Sequence, residues 1–293
     1  MLTVLAPAKL NLTLEVLTGR PDGFHEIRSV IQTINLCDSL HFQLSQIIEF
    51  RSGAPDWIAQ DSLVSRAASL LQKATGCGKG ATIEVSKHIP LASGLGGDSS
   101  DAAATLCGLN KLWQLGLSRD ELLELAAQLG SDVAFFVYGG TALVEGRGEI
   151  VTPLPPLPHM WAVLVVPPLP RQMRKTERLY ASLEPSHYTD GQITRRLVAA
   201  LKAGRGLTPS MLFNIFDNVA FDSFTGLREY WQKFLKAGAE DVHLAGSGPA
   251  LFTLIEDRAQ AEGLCIRLQQ QGLESYLTET PATIEQINNS YNE

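Results

Sequence analysis

Apolar and polar residues alternate along "LNLTLEV", residues 10–16, and a period of two is the signature of a strand. It sets Lys9, Asn11, Thr13 and Glu15 on one face, opposite Leu10, Leu12, Leu14 and Val16, and predicts a half-buried strand. "GRPDGFHE", residues 19–26, is turn-rich and leads into a second predicted strand near residues 29–36. Residues 61–74 switch to helical spacing through Leu63, Ala67, Leu70, Leu71 and Ala74, with Gly76 suited to the helix end. "ATIEVSKHI" alternates again, and a helix carrying Ala102, Ala103, Leu106, Leu109 and Trp113 follows a glycine-rich loop. Ser118 with Glu121 three residues on forms a capping box for the next helix, which should close at Gly130. The apolar run 133–138 reads as strand, as does 141–144.

"TPLPPLPH", residues 152–159, holds four prolines and cannot lie inside a helix or central strand. The domain boundary is therefore expected there, giving domains of residues 1–155 and 156–293. Beyond it, "WAVLVV" predicts a buried strand and residues 175–183, 193–203, 227–236 and 259–271 predict helices. "VHLAGSGPALFTLIE" reads as strand, Gly-Ser-Gly turn and returning strand, and "ESYLTET" as a last strand. Both halves mix helix and strand without strict alternation, so the fold class is α+β.

Composition narrows the chemistry. Hydrophobic residues make up 45% and charged residues 19% of the 293, the balance of a globular protein. A formal net charge of −7 argues against a nucleic-acid-binding face. Cys37, Cys77, Cys107 and Cys265 are scattered, with no metal-ligand spacing, and read as buried thiols of a reducing compartment. The N-terminus lacks the basic and long apolar segments of a signal peptide, and no apolar run reaches membrane-spanning length. The expectation is a cytoplasmic protein with no membrane partner.

The loop itself, "IPLASGLGGDSSDAAATL" at residues 89–106, carries the chemistry. Glycines let backbone N–H groups converge on a ligand, and a helix starting directly afterwards adds its free amides and positive dipole end. That makes an anion site, with phosphate the commonest occupant, and Ser99 or Ser100 can bond phosphate oxygens or ligate magnesium. The alternative is a structural turn before a capped helix, for which Asp98 or Ser99 is a competent N-cap. Glycine count alone leaves both open. A dinucleotide fingerprint fails because Ser99 stands where its last glycine belongs, and "GCGKG" at residues 76–80 lacks the rest of a Walker loop.

Pro90, Gly94, Leu95, Gly96, Gly97, Ser99, Ser100 and Ala102 resemble the phosphate loop of the GHMP kinase superfamily. "APAKLNLTLEVLTGRPDGFHEIRSVIQTINLCDSL", "GSDVAFFVYGGTALVEGRGE" and "LAGSGPALF" follow in order and resemble the 4-diphosphocytidyl-2-C-methyl-D-erythritol kinases of the non-mevalonate isoprenoid pathway. Only residues 160–240 match loosely. The resemblance implies a ribosomal-protein-S5-like N-terminal domain, a ferredoxin-like C-terminal domain and a cleft between them. It implies transfer of the γ-phosphoryl of ATP, with Mg2+, to the 2-hydroxyl of the methylerythritol portion of a cytidine-diphosphate-linked substrate.

By the same resemblance, Pro90, Leu91, Ala92, Ser93, Gly94, Leu95, Gly96, Gly97, Asp98, Ser99 and Ser100 bind ATP. Asp132 is the matching base and Lys9 its cationic partner, with Asn11 on the substrate hydroxyls. Phe24 and Tyr180 would sandwich the cytosine and His25 would bond its edge, while Gly246 and Ser247 bring the second domain to the phosphates. The blander readings are a turn aspartate, a solvated lysine and a core tyrosine. Arg171, Arg174 and Lys175 are either a solvated basic face or cations offsetting the diphosphate. Phe24 replaces the usual tyrosine, Asp98 a usual glycine, Ala134 a usual proline, and Ser62 an asparagine that lines the adenine pocket. Asp98 should turn outward or cap the helix, since a carboxylate facing phosphates is repelled. The rivals are a homoserine- or mevalonate-type kinase of the superfamily, disfavoured by the Gly23-Phe24-His25 block, and a non-catalytic nucleotide-binding protein, disfavoured by Lys9 and Asp132.

Overall fold

The computed structural model describes residues 1–55 and 57–281. Two long strands, β1 (Leu2–Gly19) and β2 (His25–Ser45), pair antiparallel and organise the first half. Next come β3 (Ile48–Ser52), α1 (Leu63–Thr75), β4 (Gly80–Ser86), α2 (Gly97–Trp113), α3 (Arg119–Leu129), α4 (Val133–Tyr138), β5 (Thr141–Gly146) and β6 (Ile150–Pro153). The second half holds β7 (Trp161–Val165), α5 (Lys175–Ala181), α6 (Gln192–Lys202), β8 (Phe213–Asn214), α7 (Ala220–Ser223), α8 (Leu227–Lys236), β9 (His243–Leu244), β10 (Leu251–Ile255), α9 (Arg258–Gln270) and β11 (Ser275–Glu279).

The first sheet runs β3-β4-β2-β1-β8, with β5 on β2 and β6 on β5. β2 is long enough to pair with β5 through residues 27–32 and with β4 through residues 39–45, so it serves two neighbours in succession. The second sheet is antiparallel, in the order β11-β7-β10-β9. β1 is buried continuously from Ala6 to Val16, so the half-buried strand read from the alternation is corrected. Its apolar positions Ala8, Leu10 and Leu12 pack with Ala162, Leu164 and Phe252 of the second sheet. Its polar face is covered as well, and Lys9 and Asn11 there are each 5% exposed.

The segment 133–138 is helix α4, not the strand expected from its unbroken apolar run. Length and apolarity do not separate a short buried strand from a buried helical turn. Here Val133, Ala134, Phe135 and Phe136 join the core that α1, α2 and α3 build over the sheet. The helix ends behave as their residues dictate. Gly76 closes α1 in the left-handed region at φ 66°, and Ser118 and Glu121 form the reciprocal capping box of α3. Of the cysteines, Cys37 and Cys265 are buried and Cys77 and Cys107 half-buried; all four are free.

We propose residues 1–155 and 156–293 as the two domains. Sheet membership changes between Pro153 and Trp161, and β8 then returns to pair in parallel with β1 at Thr13 and Leu14. Among the described residues, no helix is long and apolar enough to cross a membrane.

Candidate active site

α2 starts at the end of the glycine loop, with Gly96 as its N-cap at φ 78° and no side-chain cap, so neither Asp98 nor Ser99 caps it. The amides of Gly97, Asp98 and Ser99 therefore stand in the first turn without intrahelical acceptors. These three residues line a cavity of about 830 Å³, and the dipole end of a 17-residue helix favours an anion there. The Asp98 side chain is turned outward at 63% exposed, 3.9 Å from Lys87 Nζ. Leu95 and Ser100 lie beneath the loop, at 0% and 1% exposed, outside the cavity lining.

Two contacts fix the loop against β1. The Lys9 amide donates to the Leu95 carbonyl at 2.9 Å, and a Cβ on Gly96 would come within 3.0 Å of Lys9 Cγ and 2.8 Å of the Phe136 ring. Only glycine permits that approach at that positive φ. Beneath it lies a closed polar set. Lys87 Nζ donates to Asp38 Oδ2 at 2.5 Å and Asp101 Oδ2 at 2.7 Å, while Asp38 accepts the amides of His88 and Ile89. Burial, partly offset by Lys87 and reinforced by Asp38, pushes the Asp101 carboxyl up to about 8. One lysine thus faces two buried carboxylates, tying the start of α2 to β2 and the end of β4.

Lys9 Nζ donates to Asn11 Oδ1 at 2.5 Å and lies 3.8 Å from Asp132 Oδ2. Asn11 Nδ2 donates to Ser29 Oγ at 2.8 Å, and Ser29 Oγ donates to the Thr13 carbonyl, which fixes the amide's orientation. Burial lowers the Lys9 pKa and Asp132 raises it in part. Asp132 stands immediately before α4 and keeps 40% of its side chain exposed toward the cavity.

The aromatic cluster lies on the same cavity. His25 is stacked on Tyr180, centroids 4.8 Å apart and planes 21° apart, and Tyr180 meets Phe216 edge-on at 5.0 Å. Phe24 is 52% exposed, with the Arg147 guanidinium 4.8 Å over its ring. The His25 ring therefore covers a face of Tyr180, so a base held between Phe24 and Tyr180 requires His25 to leave it. Burial lowers the His25 pKa and raises that of Tyr180.

From the second half, Asn214 Nδ2 donates to the carbonyls of Leu244 and Gly246, shaping the Gly-Ser-Gly turn beside Lys9. The Ala250 amide donates to Ser93 O at 3.0 Å, joining this turn to the glycine loop. Lys175 and Thr176 reach the same place, Thr176 Oγ1 lying 2.9 Å from Ser247 Oγ. The cavity thus collects Lys9, Asn11, Phe24, His25, Asp132, Tyr180, Gly246 and Ser247 with the exposed part of the loop. Ser62 is outside this lining and instead N-caps α1, accepting from the Ser65 amide. Thr176, Ser29 and Asn214 escaped sequence reasoning, since a lone polar residue in a loop or strand carries no spacing signal.

A glycine loop on a helix N-terminus thus lines one cavity with a lysine–aspartate pair. The chain matches the GHMP kinases N terminal domain over residues 62–140 and the GHMP kinases C terminal domain over residues 197–272. It is 50% identical over 280 residues to the 4-diphosphocytidyl-2-C-methyl-D-erythritol kinase of Dehalococcoides mccartyi, covering 96% of this chain and 98% of that one. The same-named protein of Geobacillus kaustophilus is 41% identical over 87% of this chain and 88% of its own. The crystal structure of a 4-(cytidine 5'-diphospho)-2C-methyl-D-erythritol kinase superposes with a TM-score of 0.80 at 32% identity, covering 96% of this chain and all of that one, 100%. A homoserine kinase from Cytophaga hutchinsonii, at 21% identity and TM-score 0.71 over 96% of this chain and 94% of its own, shares the fold. The chain belongs to the 4-diphosphocytidyl-2-C-methyl-D-erythritol kinase family.

Proposed function

We propose that this protein transfers the γ-phosphoryl of ATP to the 2-hydroxyl of 4-diphosphocytidyl-2-C-methyl-D-erythritol. The observation that carries the reading is one cavity holding the phosphate loop, the Lys9–Asp132 pair and the Phe24-His25-Tyr180 cluster. Phosphoryl transfer asks a protein for alignment and charge stabilisation. The first-turn amides of α2 and the Ser99 hydroxyl receive the ATP phosphates. Asp132 takes the proton of the substrate hydroxyl, whose oxygen bonds the γ-phosphorus as the bond to the ADP oxygen breaks. Lys9, beside Asp132, offsets the charge of the developing alkoxide. Asn11, held by Ser29, orients the substrate hydroxyls, and Phe24 offers the base a flat face worth roughly 1–3 kcal/mol.

Among the described residues no group of three or more His, Cys, Asp or Glu side chains is placed to hold a metal. Magnesium keeps phosphate and water ligands readily, so it enters on ATP, with Ser99 the loop hydroxyl open to the cavity and charge neutralisation its contribution. The four free cysteines suit the reducing cytoplasm, where we place the enzyme.

The test is ADP release with magnesium and ATP, offering diphosphocytidyl-methylerythritol, homoserine and mevalonate in parallel. Turnover confined to the cytidyl substrate is expected. Turnover with another alcohol sinks the cytidine site, and ATP binding without any turnover moves the protein to a non-catalytic role.

A further inference from the structure

Four cationic side chains line the cavity: Lys9, Lys87, Arg147 and Lys175. Lys9 has Asp132 at 3.8 Å, Lys87 has Asp38 and Asp101, and Arg147 has Glu149 at 3.8 Å. Among the described residues, Lys175 has no carboxylate within ion-pair distance. Its ammonium donates instead to two backbone carbonyls, Ala92 of the phosphate loop at 2.8 Å and Gly248 of the Gly-Ser-Gly turn. Carbonyls satisfy N–H groups but do not neutralise a charge, and an ammonium has three donors. The side chain therefore keeps an unpaired positive charge and a spare N–H, half-buried in a cleft built for anions.

The backbone is committed to this placement. Arg174, immediately before Lys175 and N-cap of α5, sits in the left-handed region at φ 52°, and Ala92, whose carbonyl Lys175 holds, does so at φ 55°. Non-glycine residues adopt that region only at a cost in backbone strain. Burial and the nearby Lys9 push Lys175 down to about 8, as expected of a cation awaiting an anionic partner. Arg174, by contrast, is exposed and faces Glu177 at 3.8 Å, so the basic run divides into a surface arginine and a cavity lysine.

We propose that Lys175 is a catalytic residue that contacts the transferring phosphoryl group, complementing Lys9. This rests on the phosphotransferase reading above. Bound, the phosphoryl oxygens accept from the ammonium, which needs only to exchange one carbonyl for an anionic acceptor within the same reach. Lys9 is already compensated by Asp132, so the charge that spreads over the equatorial oxygens in the transition state falls to Lys175 and the helix amides.

The test separates charge from mere bracing of the two loops. Lys175→Gln retains N–H donors for the carbonyls of Ala92 and Gly248 but has no charge, whereas Lys175→Arg retains charge. Single-turnover and steady-state rates are measured with ATP and diphosphocytidyl-methylerythritol, together with the Kd of the cytidyl substrate alone and thermal unfolding. The expected result is a fall in kcat of about 10²-fold or more for Lys175→Gln, partial rescue by Lys175→Arg, no loss of thermal stability in Lys175→Gln, and an unchanged substrate Kd. A Lys175→Gln rate within about threefold of wild type overturns the proposal and leaves Lys175 as a brace. Loss of substrate Kd without loss of kcat overturns it by moving the contact to the diphosphate. Wild-type protein that turns over no cytidyl substrate refutes the function itself, which is a different outcome from any variant-specific loss.

Discussion

Lys9 Nζ and Asp132 Oδ2 stand 3.8 Å apart across the floor of the cleft, one side chain buried at 6% exposure and the other open at 40%. The asymmetry suits the roles proposed for them. Burial holds the lysine in one place between Asn11 and Asp132, whereas the open carboxylate can reach a substrate hydroxyl. Asp132→Asn keeps the shape and removes the proposed base, so ATP and substrate binding should persist while kcat drops about 10²- to 10⁴-fold. Calorimetric binding beside steady-state rates checks this. A variant with near wild-type turnover removes Asp132 from the mechanism.

The glycine loop is held by contacts that admit no side chain, and two glycines of positive φ test its proposed role in binding ATP. Gly94 has φ 94°, and a Cβ there would strike the carbonyl oxygen of Ala245 and lie 2.8 Å from the Gly248 amide. Gly116 has φ 72° with nothing within 4 Å. Gly116→Ala should cost only the backbone penalty of about 1–2 kcal/mol and leave ATP affinity alone. Gly94→Ala should also push the Gly-Ser-Gly turn from the loop and raise the KM for ATP about tenfold or more. Equal KM values in the two variants would show that the close approach is not needed for ATP.

Much of this site was legible because its signals are local. Glycine spacing, a helix starting directly behind it and a lysine and asparagine two apart on one strand face all reside in short stretches. Asp132 was legible only through resemblance, since an aspartate after Gly130 is an ordinary turn residue. What stayed hidden depends on distant chain. The polar face of β1 is buried because residues from the far half cover it, and period alone cannot announce a second layer. Val133–Tyr138 became a helix because the core formed with α1, α2 and α3 received it, a tertiary decision over an ambiguous run. The special place of Lys175 arises from carbonyls 83 and 73 residues away in sequence, and nothing in the run of Arg171, Arg174 and Lys175 distinguishes it.

Phe24 lacks the hydroxyl of the family's usual tyrosine, and here a guanidinium lies against its exposed ring. A cation over an aromatic face at an exposed site contributes about 0.5–1 kcal/mol. Arg147→Met should therefore raise the KM for the cytidyl substrate about two- to fivefold, with the KM for ATP and kcat unchanged. Titrating each substrate at saturating concentration of the other separates the two constants. A parallel change in the ATP constant would mean that Arg147 shapes the whole cleft rather than the base end.

Lys87 is the structural counterpart, 4% exposed between Asp38 at 0% and Asp101 at 1%. Its pKa is raised because the two carboxylates outweigh its own burial. Lys87→Met would leave carboxylates facing each other without a cation, at a cost of about 3–5 kcal/mol, read as a lower midpoint in urea. Asp101→Asn should be far milder, since burial already resists ionisation of that carboxyl and the amide keeps an acceptor for Lys87. If both variants unfold alike, the cluster stabilises through packing rather than charge.

The pH dependence follows from Lys175, held near 8 in the unliganded protein against an ordinary 10.5. The folded chain binds that proton less tightly than the unfolded one. Charging Lys175 therefore opposes folding below pH 8, and the opposition is relieved as pH rises from about 8 to 10.5. Activity runs the other way, because a phosphoryl contact needs the proton. Lys9 faces Lys175 from β1, and the phosphate loop and the Gly-Ser-Gly turn offer it only carbonyls. Asp98, Asp132, Glu177, Arg147 and His25 share the cavity without forming an ion pair to it. The profile of kcat/KM for ATP, which reports free-enzyme ionisations, should fall on its basic side with a midpoint near 8. In Lys175→Arg, whose guanidinium stays charged throughout, that limb should move to higher pH. An unmoved limb would assign it to Lys9, whose pKa burial also lowers.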